Sequence, residues 1–433
     1  MNKKFFYFSI FFIIILIFYL LSFSTTSQPT SSLKKEDIVS LRVTTMFAGA
    51  DPAAQLYEQA LRDFTEQHPY VQIIDESLPS GDAFRTKVKT DFAAGNEADV
   101  TFFFMGVDAK TLIASGRVLP FDSFLDADPT WKDGFAPSVL NEIRHTDGQI
   151  YSLPITGFYE GLFCNTDLFN DFNLPLPTDW DSLLTAITVF SETDIIPMAA
   201  SLDESYYLLD AFLLSAAGAT EDLYQLNEQT IPYWILALKS IQEIYQLKAF
   251  PENSFTLQDI EARQLFSQKK AAMMINGSWI ISGLEDKTNT TIIPFPVIPA
   301  GKADPFTIIA GHTSGFFLSK FSHEDPNKQG LALALIQFLT QPKMIEDFAY
   351  ANYGIPASTF KIQSPYSLLK DADQMIQNAT HFSKPIDFDM APDAFLEIRR
   401  LLPFIVKDQI SSHEALEEVS RIFNRMERTK DEL

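Results

Sequence analysis

The sequence predicts an α/β protein built from two lobes, and three observations support this fold class. The chain has 433 residues, which is too long for a single hydrophobic core. Strand-like and helix-like patterns alternate over 39–104, as in a parallel sheet whose strands are joined by helices. The run Val100 to Phe104 is continuously apolar, which is typical of a strand covered on both faces.

Hydrophobic periodicity places the elements of the first lobe. Alternation of apolar and polar residues over 39–46 predicts the first strand, and apolar residues at helical spacing over 53–64 predict the first helix. Pro69 ends that helix. A second strand, a second helix and a third strand are then expected over 71–74, 84–95 and 100–104.

Two loops follow the carboxyl ends of predicted strands in this lobe. Ligands of α/β sheets bind beyond those ends, so the loop residues are candidate ligand contacts. They are Phe47 and Gly49 after the first strand, and Met105, Gly106 and Asp108 after the third. For Asp108 the alternative is a cap on the helix that follows.

The stretch 265–284 contains the most distinctive local pattern of the chain. An apolar strand over 271–275 leads into turn-forming residues at 276–278, and Ser278 is expected to cap the helix that carries Trp279. A tryptophan at such a position tends to lie at the mouth of a site, so we predict that Trp279 forms a cleft wall. The alternative is that Trp279 is a core residue.

The second half of the chain offers three further local predictions. Thr178 and Asp181 have the spacing of a capping box for the helix that begins near Trp180. The strand expected at 292–298 contains two prolines, which fits an edge or crossing position, and we interpret it as the return from the second lobe. An apolar strand at 314–319 then rejoins the first sheet.

The N-terminus predicts export. Two lysines precede an apolar run from Phe5 to Phe23 that is long enough to span a bilayer, and Ser22 to Ser24 forms a tolerable cleavage site. Residues 1–24 are therefore a signal peptide or a membrane anchor, and the polar residues 25–37 form a tether. The single cysteine, Cys164, excludes an internal disulfide.

Composition and motifs exclude several classes of function. The formal net charge of −23 argues against binding to nucleic acid or to anionic membranes. The six histidines are scattered, and no metal-binding, phosphate-binding or dinucleotide-binding motif is present, so no metal, cofactor or catalytic residue is predicted. The run from Gly311 to Gly315 resembles a nucleophile elbow, but its serine stands one position too late.

Several segments occur in an order that resembles family 1 extracellular solute-binding proteins, the maltose-binding-protein-like sugar receptors of ABC importers. The resemblance spans roughly 39 to 428, and the order of its motifs is more specific than any one of them. The segments are FAAGNEADVTFFF (92–104), DGQIYSLP (147–154), GLFCNTDLF (161–169), LFSQKKAAMMINGSWIISGL (265–284) and QPKMIEDFAYANYGIPAS (341–358).

The resemblance implies a periplasmic-binding-protein-like fold with a ligand cleft between two discontinuous lobes. We expect the N-terminal lobe to comprise 38–156 plus 292–345, and the C-terminal lobe 157–291 plus 346–433. The implied protein is an extracytoplasmic monomer that is not an enzyme, binds a sugar or oligosaccharide and delivers it to a membrane permease. Relatives often carry an N-terminal lipid-modified cysteine, which this sequence lacks.

The first crossing between lobes carries an aromatic pair and a carboxylate at Phe158, Tyr159 and Glu160. Rings suit the apolar face of a sugar and a carboxylate suits its hydroxyls, although the rings could instead pack the hinge. The further candidate ligand contacts are Ser201, Glu204, Tyr206, Gly277, Gly311, His312 and Tyr353.

Other functions stay open at this point. A polyamine or another cation would suit the net acidity, and a phosphorylated polyol is a further candidate ligand. A different class is a sensor that presents its ligand to a membrane kinase. An enzyme is the third class, since the many carboxylates could supply a glycosidase pair.

Overall fold

The computed structural model describes residues 38–204, 206–219, 222–328, 330–363 and 365–431, with the backbone alone described for 423–431. The segments predicted as signal or anchor (1–24) and as tether (25–37) lie outside these residues. The strands are β1 (Val39–Thr44), β2 (Val71–Asp75), β3 (Val100–Phe104), β4 (Val118–Leu119), β5 (Thr156–Asn165), β6 (Ile196–Ala199), β7 (Ala271–Gly277), β8 (Thr290–Ile293), β9 (Thr307–Gly311), β10 (Ser314–Ser319), β11 (Ile355–Pro356) and β12 (His381–Ser383).

Helices connect these strands throughout the described chain. They are α1 (Ala54–Gln67), α2 (Asp82–Ala94), α3 (Val107–Ala114), α4 (Asp122–Ala127), α5 (Pro129–Lys132), α6 (Pro137–Glu142), α7 (Thr166–Asp171), α8 (Trp180–Ser191), α9 (Tyr206–Ala217), α10 (Ile231–Gln246), α11 (Asp259–Ser267), α12 (Lys320–Glu324), α13 (Leu331–Leu339), α14 (Pro342–Asn352), α15 (Ser367–Asn378), α16 (Pro392–Val406) and α17 (Ser412–Asp431). Short 3₁₀ helices occupy Ser278–Gly283 and Ile386–Phe388.

The first lobe is a five-stranded sheet in the order β2-β1-β3-β10-β4, covered on both faces. β1 runs parallel to β2 and β3, and β10 runs antiparallel to β3 and β4. Alternate residues of β3 enter separate cores: Phe102 packs on Phe316, whereas Phe103 packs on Phe84 of α2. The continuous apolar run in β3 is therefore confirmed as a strand buried on both faces.

The second lobe is built around the long central strand β5. Its sheet has the order β12-β9-β5-β7-β6, and β8 and β11 also pair with β5. One face is covered by α8, α9, α10 and α16, and the other by α11 and α15, which separates the second lobe into two apolar cores. The predicted α/β class with two lobes is thus confirmed.

The chain crosses between the lobes at three adjacent segments. β5 leaves the first lobe at Thr156, β9 leads into β10 through 312–313, and β11 pairs with residues 156–157 of β5. The expected return at 292–298 is wrong, because β8 and β9 both pair with β5 and so belong to the second sheet. The expected boundary at 345 is also too early, since Phe348 and Ala357 are buried in the core of the first lobe.

Neither Thr178 nor Ser278 forms the cap that the sequence suggested. Asp179, rather than Thr178, caps α8: its carboxylate accepts the backbone N–H of Ser182 at 2.8 Å, and the Ser182 side chain accepts the backbone N–H of Asp179 at 3.2 Å. The turn expected at 276–278 is strand as far as Gly277. Ser278 is buried and begins the 3₁₀ helix without a side-chain capping bond.

Within the part of the chain that the structure describes, no helix combines the length and apolar character needed to cross a bilayer. The apolar run Phe5 to Phe23 lies outside that part.

Candidate functional site

Three aromatic rings meet beside the end of β7. The ring centroid of Trp279 lies 5.6 Å from that of Phe158 on β5 and 5.3 Å from that of Tyr207 on α9. All three side chains are half-buried. The indole Nε1 of Trp279 is shielded from solvent and has no hydrogen-bond partner among the described residues. The trio therefore offers ring faces together with a donor that needs an acceptor.

Gly277 lies directly beneath the indole of Trp279. A Cβ atom at Gly277 would stand 2.2 Å from Cη2 of that ring, far inside contact distance. The backbone of Gly277 is ordinary extended chain, with φ −104° and ψ 173°. The close approach of the ring, and not a turn, is therefore the reason that this position needs glycine.

Three carboxylates influence one another electrostatically near this aromatic trio, where Glu160 stands opposite Gly277 across β5 and β7. Glu160 follows Phe158 by two residues, so both side chains lie on the face of β5 that is covered by α9. Asp210 comes from α9, and Asp387 from the short 3₁₀ helix that precedes α16. Glu160 is 5% exposed and Asp210 is 4% exposed.

The partners of these carboxylates differ. Oδ1 of Asp210 accepts the backbone N–H of Ile386 at 3.0 Å, and Oδ2 of Asp387 accepts from Nη2 of Arg85 at 2.8 Å. Oε2 of Glu160 is buried and has no donor in the described part of the chain. Burial, together with the charges of Asp210 and Asp387, raises the pKa of Glu160 well above its usual value. Burial and Asp387 likewise raise the pKa of Asp210.

Arg85 joins the two lobes at this place. Its guanidinium lies 2.6 Å from Oδ2 of Asp108 in its own lobe and 2.8 Å from Oδ2 of Asp387 in the other. Lys89 also contacts Asp108. Asp108 does not cap α3, because its carboxylate is held by these two cations and Gly106 occupies the capping position without a side-chain bond. The ion pairs hold α2 and α3 against the second lobe.

A second contact between the lobes runs through Tyr206. Its hydroxyl donates to Oδ1 of Asp82 at 3.0 Å and accepts from Nη1 of Arg399 at 2.6 Å. The Arg399 guanidinium also lies over the Tyr206 ring, 3.8 Å from its centroid. Gly106 allows the lobes to approach closely here, since a Cβ at this position would stand 2.1 Å from the carbonyl oxygen of Phe388. Tyr206 therefore spans the lobes, and Tyr207 takes the place beside Trp279.

His312 lies at the return crossing. Its backbone N–H donates to Oε1 of Glu142 at 2.9 Å, and its Nδ1 lies 3.0 Å from Oε2 of the same carboxylate. Gly311 precedes it, and a Cβ at Gly311 would stand 2.7 Å from Oε1 of Glu142. Nε2 of His312 is buried without a partner among the described residues. The Glu142 carboxylate thus fixes the ring and leaves one nitrogen for another group.

Three of the predicted contacts lie in apolar cores. Phe47 is buried in the first lobe with its ring against Tyr57, Phe102 and Phe348. Met105 is buried in the same core, and Tyr159 is buried in the second lobe on the face of β5 opposite Glu160. The structure thus places these three side chains in cores, and for Tyr159 the alternation along β5 explains this position.

Four further predicted contacts, Ser201, Glu204, Tyr353 and Gly49, have their described contacts outside the aromatic trio. Oε2 of Glu204 accepts the backbone N–H of Asp259 at 3.0 Å, and the buried Ser201 hydroxyl accepts the backbone N–H of Glu204 at 3.0 Å. Tyr353 is half-buried with φ 52° and packs on the same core as Trp279. Gly49 lies in an exposed loop, where a Cβ would stand 2.9 Å from Cγ of Pro79.

The family model described as bacterial extracellular solute-binding protein matches residues 49–346, more than half of the 433 residues. This chain belongs to that family. As a member of an extracellular family, the protein acts outside the cytoplasm.

Two curated relatives agree with this assignment. An uncharacterized ABC transporter extracellular-binding protein of Pyrococcus horikoshii is 21% identical over 293 residues, which cover 65% of this chain and 67% of the relative. The multiple sugar-binding protein of Streptococcus mutans is 20% identical over 310 residues, which cover 68% of this chain and 70% of the relative.

Among solved structures, one reported for xylan utilization by Caldanaerobius polysaccharolyticus has a TM-score of 0.78 at 23% identity, covering 88% of this chain and 99% of that one. A chitin oligosaccharide binding protein has a TM-score of 0.79 at 20% identity, covering 90% of this chain and 99% of that one. A maltose-bound protein of T. maritima has a TM-score of 0.70 at 19% identity, and the match covers 89% of this chain and 99% of that one. At these identities the likenesses establish the fold.

Sequence reasoning missed four charged or aromatic residues of the candidate site. They are Arg85, Tyr207, Asp210 and Asp387. A signal for Asp210 exists, since it is the one charged residue of α9, which is otherwise apolar apart from two tyrosines and a serine. No local pattern marks Asp387, whose partner Arg85 is 302 positions away in the chain.

Within the described ranges, no group of three or more histidine, cysteine, aspartate or glutamate residues is arranged to hold a metal ion.

Asp51, in the loop before α1, gives a testable pH dependence. Burial raises its pKa to about 6, although the backbone N–H of Ala53 at 2.8 Å and the charge of Arg263 act in the opposite direction. Because the folded state holds this proton more tightly than the unfolded chain, stability contributed by Asp51 is lost as the pH rises from about 4 to 6. We expect Asp51→Asn to raise the unfolding free energy by about 1–2 kcal/mol at pH 7.5 and by much less at pH 4.

Denaturant unfolding of both proteins across this pH range measures the effect. The exposed Glu192→Gln variant controls for the change in net charge. Equal stabilisation by Asp51→Asn at pH 4 and pH 7.5 would contradict the assignment.

Proposed function

We propose that the protein captures a carbohydrate between its lobes and delivers it to the membrane permease of an ABC importer. The observation that carries this proposal is the aromatic trio Phe158, Tyr207 and Trp279 beside the buried, partnerless carboxylate oxygen of Glu160. Rings stack on the apolar face of a sugar, and a carboxylate accepts hydrogen bonds from its hydroxyls. The chitin oligosaccharide and multiple sugar-binding relatives support the same class of ligand.

Closure of the lobes is the proposed signal to the permease. A ligand that touches both lobes stabilises the closed form by its differential affinity for that form. The three adjacent crossings at 156–157, 312–313 and 355–356 are suited to act as the hinge. We propose lobes of 38–156 plus 312–357 and 157–311 plus 358–433, with the protein acting as a monomer.

We also propose that residues 1–24 export the chain or anchor it in the membrane, without a lipid-modified cysteine. Protease added to spheroplasts of an expressing bacterium should digest the protein, and protection in intact spheroplasts would overturn this proposal.

A thermal-shift screen followed by calorimetry tests the function. We expect one class among xylo-, chito- and malto-oligosaccharides to stabilise the purified protein by roughly 2.7 kcal/mol at a hundred times its Kd. The ligand should be recovered chemically unchanged, since a receptor binds without turnover. Spermidine and glycerol phosphate serve as the competing ligand classes. Stabilisation by either of these, with none by any saccharide, would refute the carbohydrate proposal.

A further inference from the structure

Two buried carboxylates of the site, Glu160 and Asp210, have no cationic partner among the described residues. Arg85 and Lys89 are committed to Asp108 and Asp387. In the described part of the chain, no lysine, arginine or histidine lies within ion-pair distance of Glu160 or Asp210, although both are buried. Burying an unpaired carboxylate is costly unless it is protonated or meets a cation.

The hydrogen-bonding state of Glu160 shows what such a cation must provide. Its Oε2 lies out of solvent and accepts nothing, while Asp210 accepts a single backbone N–H. An ammonium group supplies three N–H donors and one positive charge. It can therefore donate a hydrogen bond to Oε2 of Glu160 and neutralise one of the two carboxylate charges of Glu160 and Asp210.

The aromatic trio adds two further requirements. Its ring faces, 5.3–5.6 Å apart at their centroids, attract both a cation and the C–H face of a sugar. The indole Nε1–H of Trp279 needs an acceptor oxygen. A neutral sugar provides oxygens without the charge, and a polyamine provides the charge without the oxygens.

We propose that the cleft selects a carbohydrate bearing a free, protonated amine, with the ammonium group on Glu160 and Asp210 and the sugar ring against Trp279. This inference rests on the proposed carbohydrate-binding function. The formal net charge of −23 acts in the same direction, since a negative field favours the encounter with a cationic ligand.

Matched ligands test the amine directly. We would titrate the full exported chain at pH 7.0 with β-1,4-linked glucosamine trimer, with its N-acetylated form, with cellotriose and with spermidine. The three saccharides share ring and linkage and differ at the 2-position. We expect the amine-bearing trimer to bind about 10- to 100-fold more tightly than either neutral trimer, as for a hydrogen-bonded charge.

Two variants locate the effect. Glu160→Gln and Asp210→Asn keep the shape of each side chain and remove its charge, so folding should be retained. Each variant should raise the Kd of the glucosamine trimer about tenfold or more. The Kd of cellotriose should change by less than about threefold. Glu192→Gln removes the same charge from an exposed position and should change neither affinity.

The possible outcomes separate this inference from the proposed function. Equal or tighter binding of a neutral trimer by the wild-type protein overturns the amine preference and leaves the carbohydrate proposal intact. Binding of spermidine alone, or of no ligand in the set, overturns the amino-sugar inference and counts against carbohydrate binding as well. The affinities of the wild-type protein for the three trimers test the amine preference even if a variant fails to fold.

Discussion

Replacing Trp279 by alanine should weaken ligand binding by about 2–4 kcal/mol, which is roughly a 30- to 1000-fold rise in Kd. The indole packs against Phe158 and Tyr207 and presents its Nε1 without a protein partner. Because the side chain is only half-buried, its removal leaves no closed cavity and the fold should persist. Calorimetric titration at a temperature well below the denaturation midpoint measures this loss.

Trp234 supplies the matched control for that substitution. It is fully buried in the second lobe, and its Nε1 donates to the carbonyl oxygen of Leu223 at 3.0 Å. Trp234→Ala should cost about 3–5 kcal/mol of stability by leaving a cavity in the core. If Trp279→Ala instead shows that large loss of stability with near-normal affinity, Trp279 is a core residue and the cleft wall lies elsewhere.

Gly277→Ala should weaken binding by about 10- to 100-fold without touching the ligand itself. The added methyl group would stand 2.2 Å from Cη2 and 2.3 Å from Cζ3 of Trp279, so the indole must move. The backbone at Gly277 is extended and accepts alanine without strain. The loss should therefore appear in affinity, measured by titration, with a smaller change in the denaturation midpoint.

Gly283→Ala, at the end of the 3₁₀ helix that follows Gly277, is the control. A Cβ at Gly283 meets no atom within 4 Å, so this variant should bind and unfold like the wild-type protein. Equal affinity of the Gly277→Ala and Gly283→Ala variants would show that the position of the indole does not determine binding.

Local patterns in the sequence predicted the main elements of the fold well. Apolar periodicity placed β1, β2, β3 and α1, because side-chain direction within one strand or helix depends on near neighbours alone. The apolar runs at 271–275 and 314–319 likewise form the strands β7 and β10.

Errors arose where a local pattern had two readings. The residues Asn276, Gly277 and Ser278 are typical of a turn, yet strand β7 continues to Gly277. Glycine is needed there because the ring of Trp279 lies too close for a Cβ atom. The two prolines after Ile293 suggested a crossing strand, but the pairing of β9 with β5 moves the return to 312–313. Each error reflects a contact with a residue that the local pattern does not contain.

By itself the sequence determined the α/β class, the two lobes and the neighbourhood of Trp279, since these follow from length, periodicity and the order of short motifs. Only the tertiary structure decided that Tyr207, and not Tyr206, lies against Trp279, because packing on the second sheet sets the rotation of α9. It alone brought Arg85 to Asp387 across 302 positions of the chain. Such pairs form when the lobes pack together, so no short-range pattern of residues encodes them.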